Sequence, residues 1–140
     1  MIENAFIDTN IFIYAYTKDE EYKYEISSNL LRENVTRENI IISVQVINEF
    51  YSTMTKYKYS HKQIENYLRE ITQQVRVNSL NLRIIERCLL IKEKYRYSWW
   101  DSLILTSALE SNCSILYSED LQHGQVIESS LKIVNPFMES

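Results

Sequence analysis

Short apolar runs punctuate this chain, and the longer stretches between them place apolar residues every three or four positions. The short runs are Asn4 to Ile7, Ile40 to Ile42, Val75 to Val77, Ile115 to Tyr117 and Lys132 to Val134. They are rich in Ile and Val and lack extended alternation, which predicts strands covered on both faces. The intervening segments read as helices. Ile26, Leu30 and Leu31 form one apolar stripe, and Val44, Ile47, Tyr51 and Met54 form another. Ser60-His61-Lys62-Gln63 reads as a capping box, with Ile64, Tyr67, Leu68 and Ile71 following at helical spacing. Ile84, Ile85, Cys88 and Leu89 continue the pattern, and Trp100, Leu103, Ile104, Ala108 and Leu109 mark the last long helix. Strands alternating with helices predict an α/β fold, a parallel sheet with helices on both faces.

A chain of 140 residues suits one domain spanning 1–140, and a single Gly and a single Pro leave no linker at which to divide it. No apolar stretch is long enough to span a bilayer, and the N-terminus lacks the order of a signal peptide. A soluble cytoplasmic protein, with no membrane partner, is the expectation. Cys88 and Cys113 are isolated and lie in apolar patterns, as buried thiols do. His61 and His123 are equally isolated, which argues against zinc.

Candidate chemistry begins at Asp8, at the tip of the first strand and directly before a helix. A carboxylate is costly there unless something binds it. In a parallel sheet, ligand sites form at the carboxyl edge of the strands. Asp120, just after the strand ending at Tyr117, falls on that edge, as does Asp101 in the first turn of the last helix. Glu49 lies roughly 9 Å along the helix from Ser43, within reach of its longer side chain. Two unit charges about 4 Å apart repel by roughly 4 kcal/mol at an effective dielectric near 20. Such a cluster needs protons or a cation, and oxygen-only donors favour Mg²⁺ or Mn²⁺. Each acid also has a plain alternative: Asp8 as a helix cap, Asp101 in a capping box with Ser98, Glu49 as a solvated helix residue, Asp120 as a turn residue.

These segments resemble a known family. Ala5-Phe6-Ile7-Asp8-Thr9-Asn10-Ile11-Phe12-Ile13-Tyr14-Ala15 is similar to the opening motif of PIN-domain ribonucleases. Ser43-Val44-Gln45-Val46-Ile47-Asn48-Glu49-Phe50 resembles their second acidic motif, and Trp100-Asp101-Ser102-Leu103-Ile104 with Ala108 resembles the third. Tyr117-Ser118-Glu119-Asp120-Leu121-Gln122-His123-Gly124 resembles the fourth, and Asn135-Pro136-Phe137 the tail of many members. The resemblance covers essentially the whole chain, in order, and the most similar subgroup is the VapC-type toxins of toxin–antitoxin pairs.

The resemblance implies a three-layer α/β/α sandwich around a short-stranded parallel sheet. It implies that Asp8, Glu49, Asp101 and Asp120 hold one or two Mg²⁺ or Mn²⁺ ions and hydrolyse RNA phosphodiesters. Glu119 competes with Asp120 for the fourth role, and Ser118 two residues earlier favours Asp120. Thr9, Asn10 and Ser118 are expected to orient carboxylates, with cap and turn roles as the alternative. The partners implied are an RNA substrate, a cognate antitoxin protein and a second copy in a homodimer. Ile11 to Tyr16, Tyr22 to Leu31 and Ile47 to Met54 are candidate contact faces.

Two stretches mix basic and aromatic residues, Lys56 to Lys62 and Lys92 to Trp99, and the second leads into Asp101. Lys94, Arg96 and Trp99 are the RNA-binding candidates, since cations neutralise phosphates and aromatic rings stack on bases. Trp100 falls on the apolar stripe and Trp99 beside the pocket; a solvated helix end also accounts for the basic run. The net charge of −4, with pI near 5.2, counts weakly against nucleic acid. Two other classes stay open. One is another Mg²⁺-dependent phosphoryl-transfer enzyme, although Asn10 stands where a haloacid-dehalogenase-like phosphatase needs Asp. The other is a non-cleaving RNA-binding or interaction module.

Overall fold

The computed structural model describes residues 3–138. The elements run β1 (Ala5–Ile7), α1 (Thr9–Thr17), α2 (Glu21–Thr36), β2 (Ile40–Ser43), α3 (Val44–Lys56), α4 (His61–Gln74), β3 (Arg76–Asn78), α5 (Leu82–Tyr95), α6 (Trp99–Glu110), β4 (Ile115–Tyr117), β5 (Val126–Ile127) and β6 (Leu131–Val134). One six-stranded sheet has the order β3-β2-β1-β4-β6-β5. Every pairing is parallel except β5 with β6.

The strand order fixes the layers. The chain steps from β1 to β2 to β3 in one direction, then returns across the sheet to β4. Right-handed crossovers put the helices of the outward steps on one face and those of the return on the other. Accordingly α1 packs on α2 and α3, and α3 on α4, while α5 packs on α6. The result is the expected three-layer α/β/α sandwich. Its core joins Phe6, Ile7, Ile41 and Leu116 of the strands to Ile11, Phe50, Met54, Ile104 and Leu105 of the helices.

Local signals explain several boundaries. Ser60 Oγ accepts from Gln63 N at 3.2 Å, and Gln63 Oε1 accepts from Ser60 N at 2.9 Å, so the capping box is complete. Asn81 caps α5 by accepting from Ile84 N at 3.0 Å. From Ser102 to Leu109, α6 is buried on all sides, as an all-round apolar helix must be.

Several expectations are corrected. The sheet is not wholly parallel: β5 is a two-residue antiparallel edge strand absent from the apolar runs. In α3 the fully buried positions are Gln45, Val46, Phe50 and Met54, whereas Tyr51 is exposed and meets His61. In α5 the buried face is Ile84, Cys88 and Ile91, and Leu89 faces out. Trp99 packs with Ile84, Cys88 and Leu103, while Trp100 is 63% exposed. At a helix start consecutive residues diverge by about 100°, so only one of the two rings can turn toward α5.

Candidate functional site

The topology reverses between β1 and β4, which lie side by side and lead away in opposite directions. The crevice beyond the carboxyl ends of two such strands is where open α/β sheets bind ligands. Asp8 follows β1 and Ser118 follows β4, and Asp8 N donates to Tyr117 O at 3.0 Å across the pair.

Asp8 is the most buried of the acids, at 6% exposure. Its Oδ1 accepts from Thr9 N at 2.7 Å and its Oδ2 from Ser118 Oγ at 2.8 Å. Burial lifts its pKa from 3.8 to about 7, and the charges of Glu49 and Asp120 push the same way against those two hydrogen bonds. Asp8 is at the same time the N-cap of α1: its side chain accepts from Thr9 N, and its backbone carbonyl accepts from Ile11 N at 3.3 Å across the first turn.

Glu49 reaches the edge from α3. Burial raises its pKa, as do the charges of Asp101 and Asp120, while a hydrogen bond from Gln45 opposes them. Asp120 sits at the rim, its Oδ2 accepting from Asn10 Nδ2 at 2.9 Å. Its pKa is raised by burial and then by Asp101 and Glu119, against the pull of Asn10 and Lys23. Asp101 uses its backbone N–H to meet Ser98 Oγ at 3.1 Å, while its carboxylate accepts no hydrogen bond among the described residues. The capping role thus leaves the acid group of Asp101 unoccupied by protein.

The structure therefore brings the four predicted acids into one electrostatic neighbourhood. Among the described residues no three His, Cys, Asp or Glu side chains stand as a ready-made metal-binding group. The donors fit a hard divalent cation in kind, being all carboxylate oxygens.

The flanking residues separate clearly. Ser118 is fully buried and binds both acids that flank it, donating to Asp8 and accepting from Asp120 N at 3.3 Å. Asn10 orients Asp120. Thr9 acts through its backbone N–H, and its buried hydroxyl has no partner. Glu119 turns to α1 and α2 instead, where it pairs with Lys23 and accepts from Tyr14 Oη. Of the RNA candidates, Lys94 pairs with Glu128 at 2.6 Å, Arg96 is exposed at the C-cap of α5, and Trp99 is the packed ring.

Sequence reasoning missed Gln45 and Lys23. Gln45 Nε2 donates to Glu49 Oε1 at 2.7 Å and to Trp100 O at 3.1 Å. The i, i+4 spacing of Gln45 and Glu49 was a usable signal. Lys23 is distant from Glu119 in the chain, and no local spacing announces that pair.

A family model described as PIN domain matches residues 5–128. No protein of curated description matches significantly. Among solved structures, VapBC2 from Rickettsia felis superposes with a TM-score of 0.69 at 18% identity, over 94% of this chain and 98% of that one. Mycobacterium tuberculosis VapC20, described as a sarcin-ricin loop cleaving toxin, gives 0.67 at 16% identity over 84% and 90%. A toxin–antitoxin complex from Klebsiella pneumoniae gives 0.67 at 18% over 95% and 98%. These likenesses are of fold, and the family match spans the sheet edge with all four acids: the chain belongs to the PIN domain family.

Proposed function

We propose that the protein is a divalent-metal-dependent endoribonuclease, acting as the toxin of a toxin–antitoxin pair. The observation that carries the reading is the placement of Asp8, Glu49, Asp101 and Asp120 around one sheet edge, within a chain of the PIN domain family. The VapC20 and VapBC2 likenesses support the toxin assignment.

Asp8, Glu49, Asp101 and Asp120 would hold one or two Mg²⁺ or Mn²⁺ ions. Bound there, a cation supplies a water of lowered pKa and offsets charge at phosphorus. The chain's own residues supply the positioning. Ser118 and the Thr9 N–H fix both oxygens of Asp8, Gln45 holds Glu49, and Asn10 holds Asp120. Such outer partners set carboxylate orientation. Glu119, already neutralised by Lys23, stands outside the cation-holding set.

The partner reading includes an antitoxin and a homodimer, in the cytoplasm. The likeness to VapBC2 and to a toxin–antitoxin complex supports an antitoxin as a partner. No helix among the described residues is long and apolar enough to cross a membrane. The test is incubation of purified protein with total cellular RNA, with Mn²⁺ or Mg²⁺ and with EDTA, beside Asp101→Asn. Discrete products that vanish with EDTA and in the variant are expected. No cleavage by folded, antitoxin-free protein under either metal favours the non-cleaving module.

A further inference from the structure

A second pocket opens beside the acids, between α3 and the start of α6. Its volume is about 460 Å³, and Gln45, Asn48, Glu49, Ser52, Leu80 and Trp100 line it. Trp100 and Leu80 form an apolar wall. Trp99 is the tryptophan that packs inward, so the 63% exposed Trp100 contributes little to the core. Its backbone is nonetheless fixed, because Gln45 Nε2 joins Trp100 O to the Glu49 carboxylate.

We infer that this pocket is a nucleobase subsite. An unpaired base of the RNA strand, adjacent to the phosphate at the acids, stacks on Trp100, and Asn48 and Ser52 meet its polar edge. The inference rests on the ribonuclease reading.

Three observations carry it. First, Glu49 belongs to both places: it lines the pocket beside Trp100 and is one of the four acids at the sheet edge, its Oε1 held by Gln45 Nε2. A group filling the pocket therefore adjoins the acids. Second, the Trp100 ring is exposed on the pocket wall while its backbone carbonyl accepts from Gln45 Nε2, so an aromatic face stands at a fixed place beside Glu49. Third, the chemistry selects among occupants. Glu49 at the margin repels a phosphate and tolerates a neutral base. The accessible lining is chiefly apolar, which suits the face of a ring, and Asn48 and Ser52, about one helical turn apart on α3, are the neutral polar groups beside it. Aromatic faces bind bases of any sequence, which suits a single-stranded substrate.

The experiment measures binding of a labelled, unstructured random-sequence RNA octamer to Asp101→Asn protein by fluorescence anisotropy with Mg²⁺. Adding Trp100→Ala is expected to weaken binding by about 10-fold, whereas Trp100→Tyr, which keeps a stacking face, changes it by less than about 3-fold. Octamers with one abasic position are then scanned. One position should cost the Trp100 protein about 10-fold and leave the Trp100→Ala protein indifferent. Circular dichroism confirms folding of each variant. If the wild-type protein cleaves RNA and Trp100→Ala, with Asp101 intact, binds and cleaves equally well, the subsite is refuted while the ribonuclease reading stands. If Trp100→Ala instead dissociates a dimer in sedimentation without altering RNA affinity per subunit, the pocket is an interface between copies and the inference is overturned. If wild-type protein neither binds nor cleaves RNA, the ribonuclease reading fails and the subsite fails with it.

Discussion

Asp8 makes the stability of the metal-free protein depend on pH. Its pKa of about 7 in the folded chain exceeds the ordinary 3.8, so between those values the folded state holds a proton that the unfolded chain has released. The contribution of Asp8 is therefore fully present below about pH 4, is lost as pH rises to about 7, and levels off above that. The difference corresponds to on the order of 4 kcal/mol, and raised values at Glu49 and Asp120 add to it in the same direction. In EDTA, Asp8→Asn should flatten most of this slope and leave the variant more stable than wild type at pH 8. Urea denaturation at several pH values checks it, and identical slopes in both proteins would refute the burial argument. Glu38 offers an independent case, as it takes the left-handed φ of 56° in the turn before β2. Glu38→Gly should raise stability by about 0.5–1 kcal/mol, read as a higher urea midpoint at unchanged m-value. Individual acids were legible in the sequence because strand tips and helix starts are local features. The choice of Asp120 over adjacent Glu119 rested on Ser118 alone, and the pairing of Glu119 with Lys23, 96 positions away, is a further reason that no local spacing announces.

Elements were legible wherever local chemistry decides them. Ile115–Tyr117 appears as a strand with the bounds read from its apolar run, and the other four runs shift by one residue or so at their ends. Ser60 to Gln63 forms the capping box its spacing announced. Ser60→Ala should accordingly cost about 1 kcal/mol, measured as a lower urea midpoint, and no change would show that tertiary packing alone sets this helix start. β5 escaped notice because two residues with one side chain exposed carry no periodicity, and only pairing with β6 makes them a strand. The faces of α3 and α5 were misread for a related reason. Both helices have more apolar residues than the core can take, and the sheet decides which stripe is covered. Trp99 and Trp100 differ by the same mechanism, since only the Ile84–Cys88–Leu103 cluster distinguishes them.

At the scale of the molecule, the acids hold charge of one sign in a chain of net charge −4, so binding a cation should favour the folded state. At a concentration 100 times its Kd, Mn²⁺ should add about 2.7 kcal/mol of stability, seen as a raised Tm that Asp8→Asn largely abolishes. On the ribonuclease reading proposed above, RNA approaches an acidic site and its phosphates depend on the exposed cations. Arg96→Ala should lower the slope of log affinity against log salt by about 1, and an unchanged slope removes Arg96 from the RNA path. The central claim is that four carboxylates, at the N-cap of α1, on α3, on α6 and in the loop after β4, act as one cation-dependent cleavage centre, and that Glu119 stands outside it. The most direct test compares Asp8→Asn, Glu49→Gln, Asp101→Asn, Asp120→Asn and Glu119→Gln on the RNA that wild-type protein cleaves with Mn²⁺. The first four should lose at least the roughly 10–100-fold that removing even an outer partner of a metal site costs, and Glu119→Gln should stay within a few-fold of wild type. Wild-type rates in any of the four, or a collapse in Glu119→Gln equal to theirs, would contradict the account.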